Sequence, residues 1–374
     1  MEVVHVIRQY PPSVGGLEDV VRNLCGKLSQ MPGVHVRVVT LDRIFSAPAV
    51  ILPAEEVIDG IEVTRIPWFG STRYPLAFGV MKTIQTADIV HVHAIDFFFD
   101  FLAWTQFLHH KPLVASTHGG FFHTRFAARL KKIFFQTVTR LSCRAYRYIC
   151  ASSENDANTF SRISQGNIIT IENGVNVEKW HDCGSKSAER TMIFIGRWSR
   201  NKRVPLLIAL VSELRKLGTD WRLHIVGLPS DDDMNTLQAT VRKLQVEDAV
   251  HIHISPGEDG IRQLITSASY IVSASDYEGF GISIVEGLSA GLVPLLSPIP
   301  PFERLLKELE FGGRIDPSDL MASAVSIEAF HQTLVGDTQT LRNRCMTLAK
   351  HYAWDDVALR FLSVYEDSLG IRHG

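Results

Sequence analysis

The chain has 374 residues, 45% of them hydrophobic, with 38 basic against 40 acidic side chains and a net charge of −2. That length exceeds what one ordinary core organises and suggests two domains of similar size, and the near-neutral balance with no recognition motif argues against nucleic acid as a partner. No apolar run approaches about 18 residues and no basic, apolar leader opens the chain, so a cytoplasmic protein without a spanning helix is expected.

Strand-like apolar runs then alternate with helix-period segments, the pattern of parallel sheets covered by helices on both faces. The first half offers Val3 to Ile7, Val34 to Leu41, Ile61 to Ile66, Ile89 to Val92, Leu113 to Ser116, Tyr148 to Ala151 and Ile168 to Ile171. The second half restarts at Thr191 to Ile195 and continues with Leu223 to Val226, Val250 to Ile254, Tyr270 to Ser273 and Val293 to Leu296. Helical runs crowd the end, from Met321 to Val335, Thr338 to His351 and Val357 to Leu369. The expected organisation is therefore an α/β chain with a first domain over 1–176, a linker and hinge over 177–190 where the apolar period lapses, and a second domain over 191–355. Residues 356–374 are expected to form a last helix that crosses back to the first domain. Five cysteines, Cys25, Cys143, Cys150, Cys183 and Cys345, show no C-x-x-C pair and no metal-ligand spacing, and read as mostly buried small hydrophobes.

Ligands in open α/β sheets bind beyond the carboxyl ends of the strands, so candidates are sought there. After the first strand, Gly15 and Gly16 precede a helix from about Leu17 to Leu28 and would let a phosphate or sugar approach the backbone, although a paired glycine also suits an ordinary tight turn. His118 follows Leu113 to Ser116, and its strand-end position beside Gly119 and Gly120 sets it apart from the other histidines. His91 and His93 alternate onto one face of a strand, but nothing in sequence completes a metal set, so they are expected to be satisfied core or cleft histidines. Arg197 and Lys202 lie on the loop after Thr191 to Ile195, ahead of a helix with Pro205 in its first turn, where two cations could neutralise a diphosphate. Glu278-Gly279-Phe280-Gly281-Ile282 leads from a strand into a helix that carries Glu286, one carboxylate suited to a sugar and the other to a ribose diol. Asp231-Asp232-Asp233 could chelate Mg²⁺, yet their place at a helix start reads as capping.

These motifs together, with Glu172-Asn173-Gly174-Val175, resemble glycosyltransferase family 4 in order and spacing over nearly the whole chain. The resemblance implies a GT-B fold, two Rossmann-like domains facing a cleft with the nucleotide-sugar donor held mostly by the second, and transfer with retention of configuration. It implies that Arg197 and Lys202 bind the donor diphosphate, Glu278 and the Gly279-Phe280-Gly281 backbone the sugar, and Glu286 the ribose. Gly16 would touch diphosphate or sugar, and His118 would lie near the anomeric centre. No metal or other cofactor is required on this reading, because the two cations stabilise the departing phosphate where charge develops. The wording of the Glu278 element and the basic segment below is similar to bacterial exopolysaccharide mannosyltransferases that use GDP-mannose and a polyprenyl-diphosphate-linked glycan. UDP-glucose, UDP-galactose or UDP-N-acetylglucosamine is the alternative donor, on a lipid or lipopolysaccharide acceptor. A non-catalytic sugar-nucleotide-binding subunit is the alternative class, and a nicotinamide dehydrogenase lacks its glycine fingerprint here.

From Phe101 to Ser153 there is no Asp or Glu, while basic residues accumulate, most densely from Arg125 to Arg147. Helical spacing sets Phe126, Leu130, Ile133, Phe134, Val138, Leu141 and Ala145 on an apolar face and Arg125, Arg129, Lys132, Arg140, Arg144 and Arg147 on another, with Phe121 and Phe122 just upstream. Such a helix suits anionic headgroups or a lipid pyrophosphate, so peripheral contact with the inner face of the plasma membrane is expected.

Overall fold

The computed structural model describes residues 1–72, 74–118, 133–164 and 166–371. The chain divides into two compact units, residues 1–174 with 354–374, and residues 175–353. In the first unit, β1 (Glu2–Val6), β2 (His35–Leu41), β3 (Glu55–Ile58), β4 (Ile61–Ile66), β5 (Ile89–His93), β6 (Leu113–Ser116), β7 (Tyr148–Ala151) and β8 (Ile168–Thr170) form one sheet. Its strand order is β8-β7-β6-β5-β1-β2-β4-β3, parallel throughout except for β3 at one edge. Val3, Val4 and Val6 are all buried, as a strand covered on both faces requires. Helix α1 (Gly16–Leu28) buries Val21, Leu24, Cys25 and Leu28, a stripe at helical spacing, while Glu18 and Asp19 in its first turn and Lys27 in its last complement the helix dipole. Helix α2 (Phe97–Trp104) is capped by the Asp96 carboxylate, which accepts from the Phe98 N–H at 2.8 Å.

The second unit holds β9 (Thr191–Ile195), β10 (Arg222–Gly227), β11 (Val250–Ile254), β12 (Tyr270–Ser273), β13 (Val293–Leu296) and the short β14 (Gly313–Arg314), ordered β11-β10-β9-β12-β13-β14 and parallel throughout. Numbered within the unit this is 3-2-1-4-5-6, the doubly wound order whose reversal lies between its first and fourth strands. Helices α3 (Val204–Lys216), α4 (Met234–Leu244), α5 (Ile282–Ser289) and α6 (Leu320–Lys350) cover it, and α6 breaks its helical backbone at Asp337. Helix α7 (Trp354–Ser368) belongs to the first unit, where Lys27 pairs with Asp355 at 2.9 Å.

Two expectations need correction. Residues 177–190 are not a linker: Val177 and Trp180 lie in the core of the second unit, and the buried Arg342 guanidinium holds Asp182 at 2.6 Å and the Ser185 carbonyl at 2.5 Å. Burying Trp180 stabilises this segment by about 3 kcal/mol, which the weak apolar period did not signal. The chain crosses between units at 174/175 and 353/354 instead, so the second unit ends at Ala353 rather than at residue 355. The basic segment also presents a different face from the one its spacing predicts. Phe135, Thr139, Ser142 and Cys143 are buried, whereas Ile133 and Leu141 are exposed. A π-helical turn over Phe135–Thr139 shifts the phase, and Ser142 donating to Asp100 at 2.7 Å with Phe135 edge-on to Phe160 fixes the inward side. Gly119, Gly120, Phe121, Phe122, Arg125, Arg129 and Lys132 lie outside the described residues.

Candidate active site

In the second unit, the loops after β9 and β12 leave adjacent strands on either side of the sheet's reversal, the position where open sheets hold ligands. They are stitched together. The Asp276 N–H donates to the Asn201 carbonyl at 2.9 Å, Asn201 Nδ2 donates to the Tyr277 carbonyl at 3.1 Å, and Arg203 pairs with Asp276 at 3.2 Å. This stitching brings Lys202 and Glu278 into a direct ion pair, 76 residues apart in sequence. Ser275 Oγ donates to the same Glu278 oxygen at 2.9 Å and in turn shares a 2.9 Å hydrogen bond with Ser273. Both partners are mostly buried, so the carboxylate and ammonium are held rather than free to wander. Arg197 is exposed and makes no ion pair among the described residues.

The Glu278 turn is set by Gly281, whose φ of +94° lies in the left-handed region and whose position would put a Cβ 2.8 Å from the Phe302 ring. Gly279 is open, while the Phe280 ring is buried against Tyr352, so of Phe280 only the backbone is available to a ligand. Ile282 is exposed at the first turn of α5. Glu286, within α5, is half-buried rather than solvated, and burial raises its pKa, with Lys179 acting to lower it. The aspartate run is used structurally: Asp233 caps α4 by accepting from the Thr236 N–H at 2.7 Å, and Asp231 accepts from the Arg200 N–H at 2.9 Å.

In the first unit the sheet reverses between β1 and β5. Arg8 beyond β1 pairs with Asp96 beyond β5 at 2.9 Å, and burial raises the Asp96 pKa to about 6 even though Arg8 opposes this. Gly15 caps α1 and Gly16 opens it, with none of the described residues within 4 Å of a Cβ at Gly16. His118 stands just beyond β6 at φ +50°, unusual for a residue with a Cβ, and the preceding Thr117 Oγ1 is anchored on Asp156 at 2.8 Å. His118 Nε2 lies 3.0 Å from His93 Nδ1, and His93 Nε2 lies 2.9 Å from His5 Nδ1. His91 is spoken for, by Tyr365 Oη at 2.7 Å and Ser116 Oγ at 2.8 Å. Burial lowers the pKa of His118 to about 4 and of His5 to about 3, and those of His91 and His93 fall well below the usual value.

Sequence reasoning placed His91 and His93 on one face but missed His5, because only the β1–β5 register sets His5 beside His91. Ring nitrogens of His5, His91 and His93 all lie within 4.8 Å of one another, a spacing that could also admit a metal ion. Ser273 and Ser275 were missed as well, since serines near a strand end carry no signal of their own.

A cation and a carboxylate held together at a sheet reversal, with an exposed arginine on the same loop as the cation, suit a transferase that handles a nucleotide sugar. The profile described as Glycosyltransferase Family 4 matches residues 14–179, and that described as Glycosyl transferases group 1 matches residues 178–337. The chain belongs to glycosyltransferase family 4 and has the GT-B fold. It is 43% identical to a GDP-mannose:cellobiosyl-diphosphopolyprenol alpha-mannosyltransferase of Komagataeibacter xylinus, over 99% of this chain and 94% of that one. A protein of the same description from Xanthomonas oryzae pv. oryzae is 42% identical over 99% and 98% of the two chains. Among solved structures, a glycosyltransferase from Rickettsia africae superposes with a TM-score of 0.72 at 16% identity, covering 98% of each chain.

Proposed function

We propose that this enzyme transfers an α-mannosyl group from GDP-mannose to a polyprenyl-diphosphate-linked glycan in exopolysaccharide assembly. The observation that carries this reading is the 43% identity, sustained over 99% of the chain, to a protein described by that donor and a cellobiosyl-diphosphopolyprenol acceptor. The Lys202–Glu278 pair supports it chemically. A donor diphosphate would draw the Lys202 ammonium from Glu278 and, with Arg197, neutralise the departing phosphate, leaving Glu278 to accept from sugar hydroxyls. Glu286 takes the ribose diol, Gly15 and Gly16 admit the diphosphate or sugar, and His118 faces the reacting sugar. The bond from the sugar C1 to the phosphate oxygen breaks, the acceptor oxygen bonds C1 on the same face, and the acceptor proton passes to the departing phosphate. No covalent nucleophile and no metal ion is required by this scheme.

Among the described residues no helix is long and apolar enough to cross a membrane. A peripheral, cytoplasmic-face location is supported by the exposed Trp104, Phe107, Leu108 and Leu141 beside the exposed Arg140 and Arg144, with Gln106 tied to the Ala145 carbonyl at 3.0 Å.

The test is transfer from labelled GDP-mannose to a synthetic cellobiosyl-diphosphoprenol. Mannose transfer with an α-linkage is expected, undiminished by EDTA, and Arg197→Ala should lower kcat by about 100-fold. Thermal stabilisation by UDP but not GDP would overturn the donor assignment, a trapped glycosyl adduct on Glu278 the mechanism, and no turnover with any sugar nucleotide the enzymatic reading itself.

A further inference from the structure

In the second unit three histidines share one face at an edge of the sheet. His251 and His253 alternate onto the same side of the edge strand β11, and the parallel register sets His224 of β10 directly beside His251. The other side of β11 packs inward through the buried Val250 and the partly buried Ile252. Parallel strands covered on both faces carry apolar residues on both, as the wholly buried Val293–Leu296 does, so three imidazoles in one patch depart from that pattern.

The three rings meet one another. His224 Nδ1 lies 3.2 Å from His253 Nε2, and the His251 ring stacks on His224 with centroids 5.5 Å apart and 29° between planes. Beyond these contacts none of the three side chains has a hydrogen-bond or ion-pair partner among the described residues. Two imidazoles bound to a tetrahedral zinc ion stand about 3.3 Å apart, and His224 and His253 already have that spacing. A neutral ring offers the inward nitrogen to an ion by carrying its hydrogen on the other one. His251 is exposed and held only by stacking, so it is able to turn a nitrogen toward the pair as a third ligand. Its open side leaves a path for the ion and room for water in the fourth position.

The first unit repeats the layout, with His91 and His93 on β5 and His5 beside His91 on β1, and there the ring nitrogens lie within 4.8 Å of one another without any ring turning. Those nitrogens are occupied, however, on His91 by Tyr365 and Ser116 and on His93 by His5 and His118, and all three rings are fully buried. A doubly charged ion would have to leave its water for that core. At the edge of β11 it keeps contact with solvent.

We propose that His224, His251 and His253 form a site for a divalent transition metal of the zinc class, which clips the edge strand β11 to β10. An ion that binds only the folded arrangement stabilises the second unit. The site is independent of the transferase reading and lies outside the residues given to donor and acceptor.

The experiment is calorimetric titration of untagged, EDTA-stripped and dialysed protein with zinc chloride at neutral pH, with cobalt(II) as a coloured substitute. One ion per chain should bind, cobalt should show the intense visible absorption of tetrahedral coordination, and zinc should raise the melting midpoint by a few degrees. His251→Gln and His253→Gln should each weaken binding at least about tenfold and abolish the cobalt colour, while melting in EDTA stays as in wild type. His91→Asn should bind as wild type does. No binding to wild-type protein, undiminished binding in both edge variants, or loss of the ion in His91→Asn would each overturn the proposal. The exposed position of His251 keeps the test decisive even where His253→Gln does not fold. Failure of wild-type protein to transfer any sugar would overturn the transferase reading and leave the metal titration untouched.

Discussion

Gly16 heads α1, and among the described residues open space lies where a side chain would project. Gly16→Val should therefore leave thermal stability within about 1 kcal/mol of wild type, since a helix-start glycine contributes little. Turnover of the nucleotide sugar should nevertheless drop, because the added branch occupies the space a ligand needs. A melting scan beside an activity assay checks both, and equal loss in the two would show that Gly16 serves the fold. Residues whose meaning lay in backbone shape, such as Gly281 with its positive φ, were legible in sequence because glycine is the residue such turns require. Ser275 was not, as its role exists only through the Glu278 carboxylate it touches.

At the scale of elements, β1, β5 and the turn after β6 place four histidines in one buried cluster whose pKa values are all pulled down by burial. Neutral in the folded state, these groups bind protons in the unfolded chain below its ordinary histidine pKa of 6.5. The unfolded state thus holds more protons, and stability falls as pH drops from 6.5 toward the folded value of about 4 for His118. Each such histidine contributes a slope of about 1.4 kcal/mol per pH unit inside its window. Urea midpoints measured between pH 7 and pH 4.5 should decline steeply, and His91→Asn should flatten that decline; a flat wild-type profile would contradict the burial. Main strands such as Leu113 to Ser116 and Tyr270 to Ser273 were readable because continuous apolar runs suit a strand buried on both faces. The antiparallel edge strand Glu55–Ile58 and the small hairpin of Phe69–Ser71 with Tyr74–Leu76 were not, since short exposed strands bury too little to imprint a pattern.

Across the whole molecule the chain leaves its first unit at Gly174 and re-enters it at Trp354, and these two residues touch. A Cβ at Gly174 would fall 2.3 Å from the Trp354 ring, and Val357, Phe361 and Tyr365 of α7 continue the same buried surface. Trp354→Ala should destabilise the first unit by about 3–5 kcal/mol. In calorimetry one of two transitions should move to lower temperature while the other, belonging to residues 175–353, stays in place; a shift of both would deny the units their independence. The C-terminal helix is thus part of the first core although it is the last element made.

Periodicity, a local pattern that the backbone imposes, determined the α/β class, and the resemblance carried by the ordered motifs, Arg197, Lys202, Glu278 and Glu286 among them, pointed to the family and to candidate donor residues. Which residues actually meet was decided by tertiary structure. The Lys202–Glu278 pair spans 76 positions, the histidine chain joins three separate strands and turns, and within 177–190 Val177 and Trp180 enter the core of the second unit while Arg342, far along the chain, reaches back to hold Asp182. Hydrogen bonds and ion pairs of that range depend on register and sheet order, which no local window of sequence contains.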